Sequence, residues 1–374
     1  MIKKREDIIP IIRPFMPDRD EFMAYADSLW KTRQLSNNGP LVQELQENLK
    51  ERLQVLNLVV FANGHLALDS AIKALDLRNG EAITTPFTYL STSHALAMNG
   101  LKPVFCDIKE SDCTIDEEKI EELITPSTKA IVPVHVYGFP CNYRRIQEIA
   151  DNHRLKVIYD AAHAFGVSVD GKGIGTLGDA SMFSFHATKV YHTTEGGAVT
   201  CNTADLVPKL VAAKNFGMIS PEEATSISFN AKMTELHAAM GLANLKSLDL
   251  QIAQRKVRVE QYLDRISGIK GIRTFSWDNP KIAYNYAYFP ALFDESVLGV
   301  GRDVIAERLR EEYRVLVRKY FYPLVSDLQC YHDSCNIPIA RKISSQVLAL
   351  PLFAELTADQ VDYVCDAIQE IVKA

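Results

Sequence analysis

Between about residue 56 and residue 200, short apolar runs rich in β-branched residues alternate with stretches whose apolar residues recur at helical spacing. No other feature of the chain restricts its fold as tightly. In the first unit, Leu56-Asn-Leu-Val-Val-Phe-Ala62 reads as a strand, Asn63-Gly64 as a tight turn, and Leu66, Leu68, Ile72 and Leu75 as one face of a helix. Residues 82–85, 103–107, 130–134 and 156–160 read as further strands, with helices near 90–99, 116–124 and 144–153 between them. Strands separated by helices need crossover connections, so the expected fold class is α/β, with a mostly parallel sheet covered on both faces.

The chain has 374 residues, 47% of them apolar, which is enough for a large core and suggests two domains. From Lys232 to about residue 267 there is no proline, and Met233, Leu236, Met240, Leu245 and Leu248 suit one long helix leading out of the first domain. The expected division is a large domain over 1–250 and a smaller α+β domain over 251–374. In the latter, 287–293 reads as a strand and 302–313 and 358–372 as helices. Near the start, Phe22, Tyr25, Ala26 and Leu29 mark one face of a helix that Asp18 is placed to cap.

A formal net charge of -6 offers no basic footprint for a nucleic-acid backbone, so no nucleic-acid partner is expected. The run Met1-Ile-Lys-Lys-Arg-Glu-Asp carries charge where a signal peptide needs apolar residues, and no segment has the length of a membrane span. A cytoplasmic protein with no membrane partner is expected. The 7 cysteines form no C-x-x-C pair, which points to buried free thiols rather than to a metal ribbon or a disulfide framework.

Gly173-Ile-Gly-Thr-Leu-Gly178 matches the G-x-G-x-x-G pattern of dinucleotide sites, but it lies between two strand-like runs and not between a strand and a helix. It reads as a glycine-rich hairpin. His186 and His192 are six apart with no ligand at metal-site spacing, so no metal is expected. Asp160 closes the run Lys156-Val-Ile-Tyr, and acids at the carboxyl ends of strands in an open α/β sheet can face a ligand; the competing reading is a helix cap. Lys189 lies in Ser184-Phe-His-Ala-Thr-Lys-Val-Tyr-His-Thr-Thr-Glu-Gly-Gly-Ala198, on a loop between the strand 181–185 and the β-rich run 198–201. An amine kept from water there would lose its charge and attack a carbonyl. A buried lysine, a strand-end acid and a helix N-terminus at Gly64 together meet the needs of pyridoxal 5'-phosphate.

Six ordered elements carry a family resemblance: Phe61-Ala-Asn-Gly-His-Leu-Ala-Leu68, Thr85-Pro-Phe-Thr-Tyr89, Pro133-Val-His-Val-Tyr-Gly138, Tyr159-Asp-Ala-Ala-His-Ala-Phe-Gly166, Ser184 to Lys189 with Glu195-Gly-Gly197, and Asn230-Ala-Lys-Met-Thr-Glu-Leu236. In this order they resemble the DegT/StrS nucleotide-sugar aminotransferases. The resemblance implies fold type I, aspartate-aminotransferase-like architecture and a homodimer with active sites shared at the interface. It implies Lys189 as the lysine that bonds the cofactor aldehyde, Asp160 as partner of the pyridine nitrogen, Phe87 over the ring and His163 beside the 3'-oxygen. Gly64, the backbone of His65, and Ser184 would hold the phosphate, with Asn230 from the other subunit. His65 departs from the family's usual Thr or Ser, and Lys232 from its commoner Arg. With Ser36-Asn-Asn-Gly-Pro40, the set most resembles the branch that aminates C4 of dTDP-4-keto-6-deoxy-D-glucose, with L-glutamate giving 2-oxoglutarate. Amination of C3, a sugar dehydratase and a non-catalytic pyridoxal-phosphate regulator are the alternatives. The dehydratase typically has histidine in place of the lysine.

Overall fold

The computed structural model describes residues 4–331 and 334–373; of the charged N-terminal run, residues 1–3 lie outside the described residues. Seven strands form the main sheet, in the order Asn57–Phe61, Gly197–Cys201, Ala180–Ser184, Lys156–Asp160, Thr128–Ile131, Gly80–Thr84 and Leu101–Phe105. Only Gly197–Cys201 runs antiparallel to its neighbours, and the other pairings are parallel. Successive residues of a strand face opposite sides of the sheet. Accordingly Leu58 and Val60 enter one apolar core while Val59 and Phe61 enter another on the far side.

A third core surrounds a small antiparallel sheet ordered Ile272–Thr274, Phe289–Phe293, Val347–Leu350 and packs the helices Arg302–Tyr313 and Ala358–Lys373 against it. The chain's beginning also enters this core. Ile9 is fully buried there, its N–H donating to the Arg314 carbonyl at 2.9 Å and its own carbonyl accepting from Leu316 N–H at 3.0 Å. Ile11 continues the tie by accepting from Leu352 N–H at 3.1 Å.

The expected long helix from Lys232 is two helices, Glu235–Leu245 and Leu248–Ile266, because the chain breaks at Lys246 and Ser247. The second reaches from the main core at Leu248 to the C-terminal core at Val259, Tyr262 and Ile266. The expected helix near 116–124 reduces to two single 3-10 turns. Asp18 caps Arg19–Thr32 as expected, accepting from the N–H groups of Asp20 and Glu21. Of the glycine-rich stretch expected to be a hairpin only Gly173 belongs to one, Ser168–Val169 with Lys172–Gly173, whose turn residues Asp170 and Gly171 are both at positive φ as a type I′ turn requires; the next residues, Ile174–Thr176, form a 3-10 turn against the main sheet. Cys330 is exposed and Cys335 partly so, whereas the other five cysteines are buried. Among the described residues no helix is long and apolar enough to cross a membrane.

The helix Pro40–Leu53 has no capping side chain of its own. Glu235 supplies one from far along the chain: its buried carboxylate accepts from Leu41 N–H at 2.8 Å and Val42 N–H at 3.2 Å. Gly39 makes room for it, since a Cβ there would lie 2.6 Å from the Glu235 carboxyl carbon. Glu235→Ala strips the helix end of its anion and both acceptors, and we expect a loss of about 2 kcal/mol, read as a lower urea midpoint at unchanged m value.

Candidate active site

A cavity of about 600 Å³ opens at the carboxyl ends of the parallel strands, the end at which open α/β sheets bind ligands. Asn63, Gly64, His65, Asp160, His163, Ser184 and Lys189 all line it, although they come from three separate stretches of sequence. Lys189 follows the strand Ala180–Ser184 and lines this cavity, half-buried. Burial pulls its amine below the ordinary lysine value, opposed by the charge of Asp160 and by Tyr320 and Tyr89.

Asp160, at the end of its strand, is 5% exposed. One carboxylate oxygen accepts from Thr92 Oγ1 at 2.8 Å and the other from Ala162 N–H at 3.0 Å. Burial pushes its carboxyl above the usual value, while Thr92, the Ala162 N–H and Lys189 pull it down. Thr92 gives its one hydroxyl proton to Asp160, so at the 3.0 Å contact with Thr88 it accepts. This chain of hydroxyls fixes the carboxylate's orientation. His163 accepts a hydrogen bond at Nδ1 from Tyr137 N–H at 3.1 Å, and burial together with Lys189 holds its pKa well below normal. The ring is thus neutral with its proton on Nε2, which makes it a donor.

The helix Gly64–Ala74 starts at the cavity, with Asn63 capping it by accepting from Leu66 N–H at 2.9 Å. Its free N–H groups suit an anion. A Cβ on Gly64 would lie 2.8 Å from the Ser184 Cβ, so glycine there lets the helix end meet the strand closely. Where the resemblance places a hydroxyl, His65 instead holds one: its Nδ1 is 2.8 Å from Ser91 Oγ, and Ser91 lines the cavity.

Two expected site residues lie elsewhere. Phe87 is fully buried and does not line the cavity; it packs edge-on against Tyr137 and Phe321, with ring centroids 6.1 and 5.5 Å away. The Thr85 hydroxyl accepts from Phe87 N–H, turning this segment so that Phe87 enters the core and Tyr89 faces the cavity. Asn230 is exposed and does not line the cavity of its own chain. The two histidines weighed as metal ligands are also apart in environment: His186 is exposed beside Thr188, whereas His192 is buried against the Phe15 carbonyl. Tyr320 lines the cavity, Tyr137 is buried with its hydroxyl on the Tyr320 carbonyl, and Tyr322 lies outside. Thr92, Ser91, Tyr288 and Arg318 complete the site and carry no local sequence signal.

A model of the DegT/DnrJ/EryC1/StrS aminotransferase family matches residues 17–369. The chain belongs to this family. It is 42% identical over 369 residues to a dTDP-4-amino-4,6-dideoxy-D-glucose transaminase of Shigella dysenteriae, an alignment covering 98% of this chain and all of that protein. An Escherichia coli protein of the same name is 41% identical over 94% of this chain and 96% of its own. Among solved structures, DesI in the presence of its TDP-sugar product superposes with a TM-score of 0.94 at 33% identity, covering 99% of this chain and 94% of that one.

This DegT-family chain is therefore an aminotransferase of α/β fold, and its cofactor is pyridoxal 5'-phosphate. The residues present fit that group: a desolvated amine for its aldehyde, a buried carboxylate for its ring nitrogen, and a helix N-terminus with no room for a Cβ at Gly64 for its phosphate. Gly64→Ala pushes a methyl group against Ser184, and overpacking of that kind costs about 1–3 kcal/mol. We expect its apo-protein to bind pyridoxal 5'-phosphate with a Kd raised about tenfold or more, measured by titration.

Proposed function

We propose that this chain transfers the amino group of L-glutamate to C4 of dTDP-4-keto-6-deoxy-D-glucose, giving dTDP-4-amino-4,6-dideoxy-D-glucose and 2-oxoglutarate. The observation that carries this reading is a desolvated lysine sharing one cavity with a strand-end aspartate, in a chain 41 to 42% identical to transaminases named for this sugar.

When bound, the cofactor supplies an aldehyde for an amine and a ring that takes up the electron pair left as a Cα–H bond breaks. The rest is work for the chain's own residues. Lys189 would hold the cofactor and then, as a free amine, would take the proton from the donor's Cα and, in the second half of the reaction, give one to the sugar carbon that gains nitrogen; burial favours the neutral amine that this needs. Asp160 would hold the proton on the ring nitrogen. His163 would donate from Nε2 to the 3'-oxygen, and the N–H groups of Gly64 and His65 with the Ser184 hydroxyl would bind the phosphate. The ring-covering role expected of Phe87 passes to Tyr89, which faces the cavity. Asn230, exposed on its own chain, reaches the phosphate of a second copy, and so the working form is a cytoplasmic homodimer with shared sites. The same reading keeps the division of the chain near residue 250.

The test is incubation of the purified protein with L-glutamate and a panel of 3-keto and 4-keto nucleotide sugars, with NMR of the product. Amination at C4 of the dTDP sugar supports the reading, and exclusive amination at C3 refutes it. A pH prediction follows from the lowered amine pKa. A depressed pKa means that Lys189 loses its proton at a lower pH than free lysine does, about 10.4. Covalent uptake of pyridoxal 5'-phosphate by the apo-protein should accelerate with rising pH and level off below that value. Rapid-mixing absorbance across the pH range gives the midpoint, and a midpoint at or above the free-lysine value contradicts the desolvated amine.

A further inference from the structure

Arg318 lines the cavity that holds Lys189 and Asp160. Its guanidinium donates to the Tyr320 hydroxyl and lies 5.3 Å from the centroid of that ring. Its backbone is fixed to the C-terminal sheet, exchanging hydrogen bonds of 3.1 and 2.7 Å with Ala349. Arg52, Arg144, Arg265 and Arg341 each pair with an aspartate. Among the described residues no carboxylate pairs with Arg318. The acids facing the cavity are engaged elsewhere: Asp160 with Thr92 and Ala162, and Glu195 with His186 at 3.6 Å. A guanidinium offers five N–H donors in a planar fork matched to a carboxylate, and Tyr320 takes only one of them.

We propose that Arg318 receives the α-carboxylate of the amino donor, and that it is the residue that makes an amino acid, and not a simple amine, the nitrogen source. This rests on the transamination reading above. Tyr320 lies within electrostatic reach of Lys189, so the Arg318 guanidinium is tied through Tyr320 to the cavity that holds the reacting amine. Both substrates bring an anion into the cavity. In an amino acid the carboxylate is bonded to the carbon that bears the nitrogen, adjacent to the proton Lys189 moves. In a nucleotide-linked 4-ketosugar the diphosphate is on C1, across the ring from the reacting carbon. A cation paired with the tyrosine that reaches Lys189 matches the first geometry. The phosphate of the cofactor has its own place at the N-terminus of Gly64–Ala74.

The test uses Arg318→Gln and Arg318→Lys in the holoenzyme. Loss of a charge-assisted carboxylate contact should raise the KM for L-glutamate about 10- to 100-fold with Gln, while the KM for the ketosugar moves by less than about twofold. Lys should recover part of the loss, since it keeps the charge without the fork. Glutarate, a dicarboxylate with no amine to transfer, provides a readout apart from turnover, and its affinity by calorimetry should fall in parallel. A KM rise confined to the ketosugar would give Arg318 to the diphosphate and overturn the proposal, as would unchanged values for both substrates. If wild-type protein aminates no ketosugar yet glutarate binding still depends on Arg318, the sugar assignment fails and the carboxylate site stands.

Discussion

Replacing Lys189 by alanine is expected to lower the rate of amino transfer by at least about 10⁴-fold, because one side chain supplies both the covalent anchor and the proton carrier. The phosphate and ring contacts come from other residues, so the variant should still bind pyridoxal 5'-phosphate, now exchangeably. The protein fold should tolerate the change, since Lys189 faces the cavity and is not part of an apolar core. Lys189→Arg separates charge from chemistry: its guanidinium stays protonated and should be equally inactive. Product formation from L-glutamate and ketosugar, followed with the fraction of cofactor retained after borohydride and denaturation, measures both parts. Turnover within tenfold of wild type for Lys189→Ala would remove the foundation of the mechanism.

Asp160→Asn should cost about 10²- to 10⁴-fold in rate, the second largest effect, with little change in fold. The amide oxygen can keep the bond from Ala162 N–H, now at 3.0 Å. The amide nitrogen then faces Thr92, which must turn its hydroxyl proton away and donate to Thr88 at the existing 3.0 Å contact. The hydrogen bonds therefore reverse without breaking. What disappears is the negative charge that stabilises a proton on the ring nitrogen. Rate measurements in the half of the reaction driven by L-glutamate isolate this effect, and a rate near wild type would reassign Asp160 to a structural cap.

The alternation of apolar runs made the parallel strands legible to within two or three residues at most ends, since a strand buried on both faces leaves a continuous apolar signature. Lys189, Asp160, Gly64, His163 and Ser184 could be grouped because each follows or ends a core strand on the ligand-binding side. The helix Pro40–Leu53 is legible in the sequence, where Pro40 marks a first turn and Leu41, Leu45, Leu49 and Leu53 recur every four residues. The choice between Phe87 and Tyr89 was not local. Which aromatic turns inward depends on Tyr137 and Phe321, and the latter lies far along the chain. Thr92 and Arg318 escape for the same reason: their meaning comes from Asp160 and Tyr320, which only the folded chain brings near. The single long helix expected after Lys232 is interrupted at Lys246 and Ser247, because apolar spacing alone does not show where one helix ends and the next begins.

Ile9 has a bearing on how the polypeptide comes to be assembled. Because this residue is clasped between Arg314 and Leu316 and sealed among residues from the helix Ala358–Lys373, a core built mainly from residues after 258 is completed only by one from far earlier in the chain. Severing the chain near residue 250 leaves the later piece without that plug. A bulky fusion placed just ahead of Ile9 would press on the C-terminal lobe, far in sequence from its point of attachment.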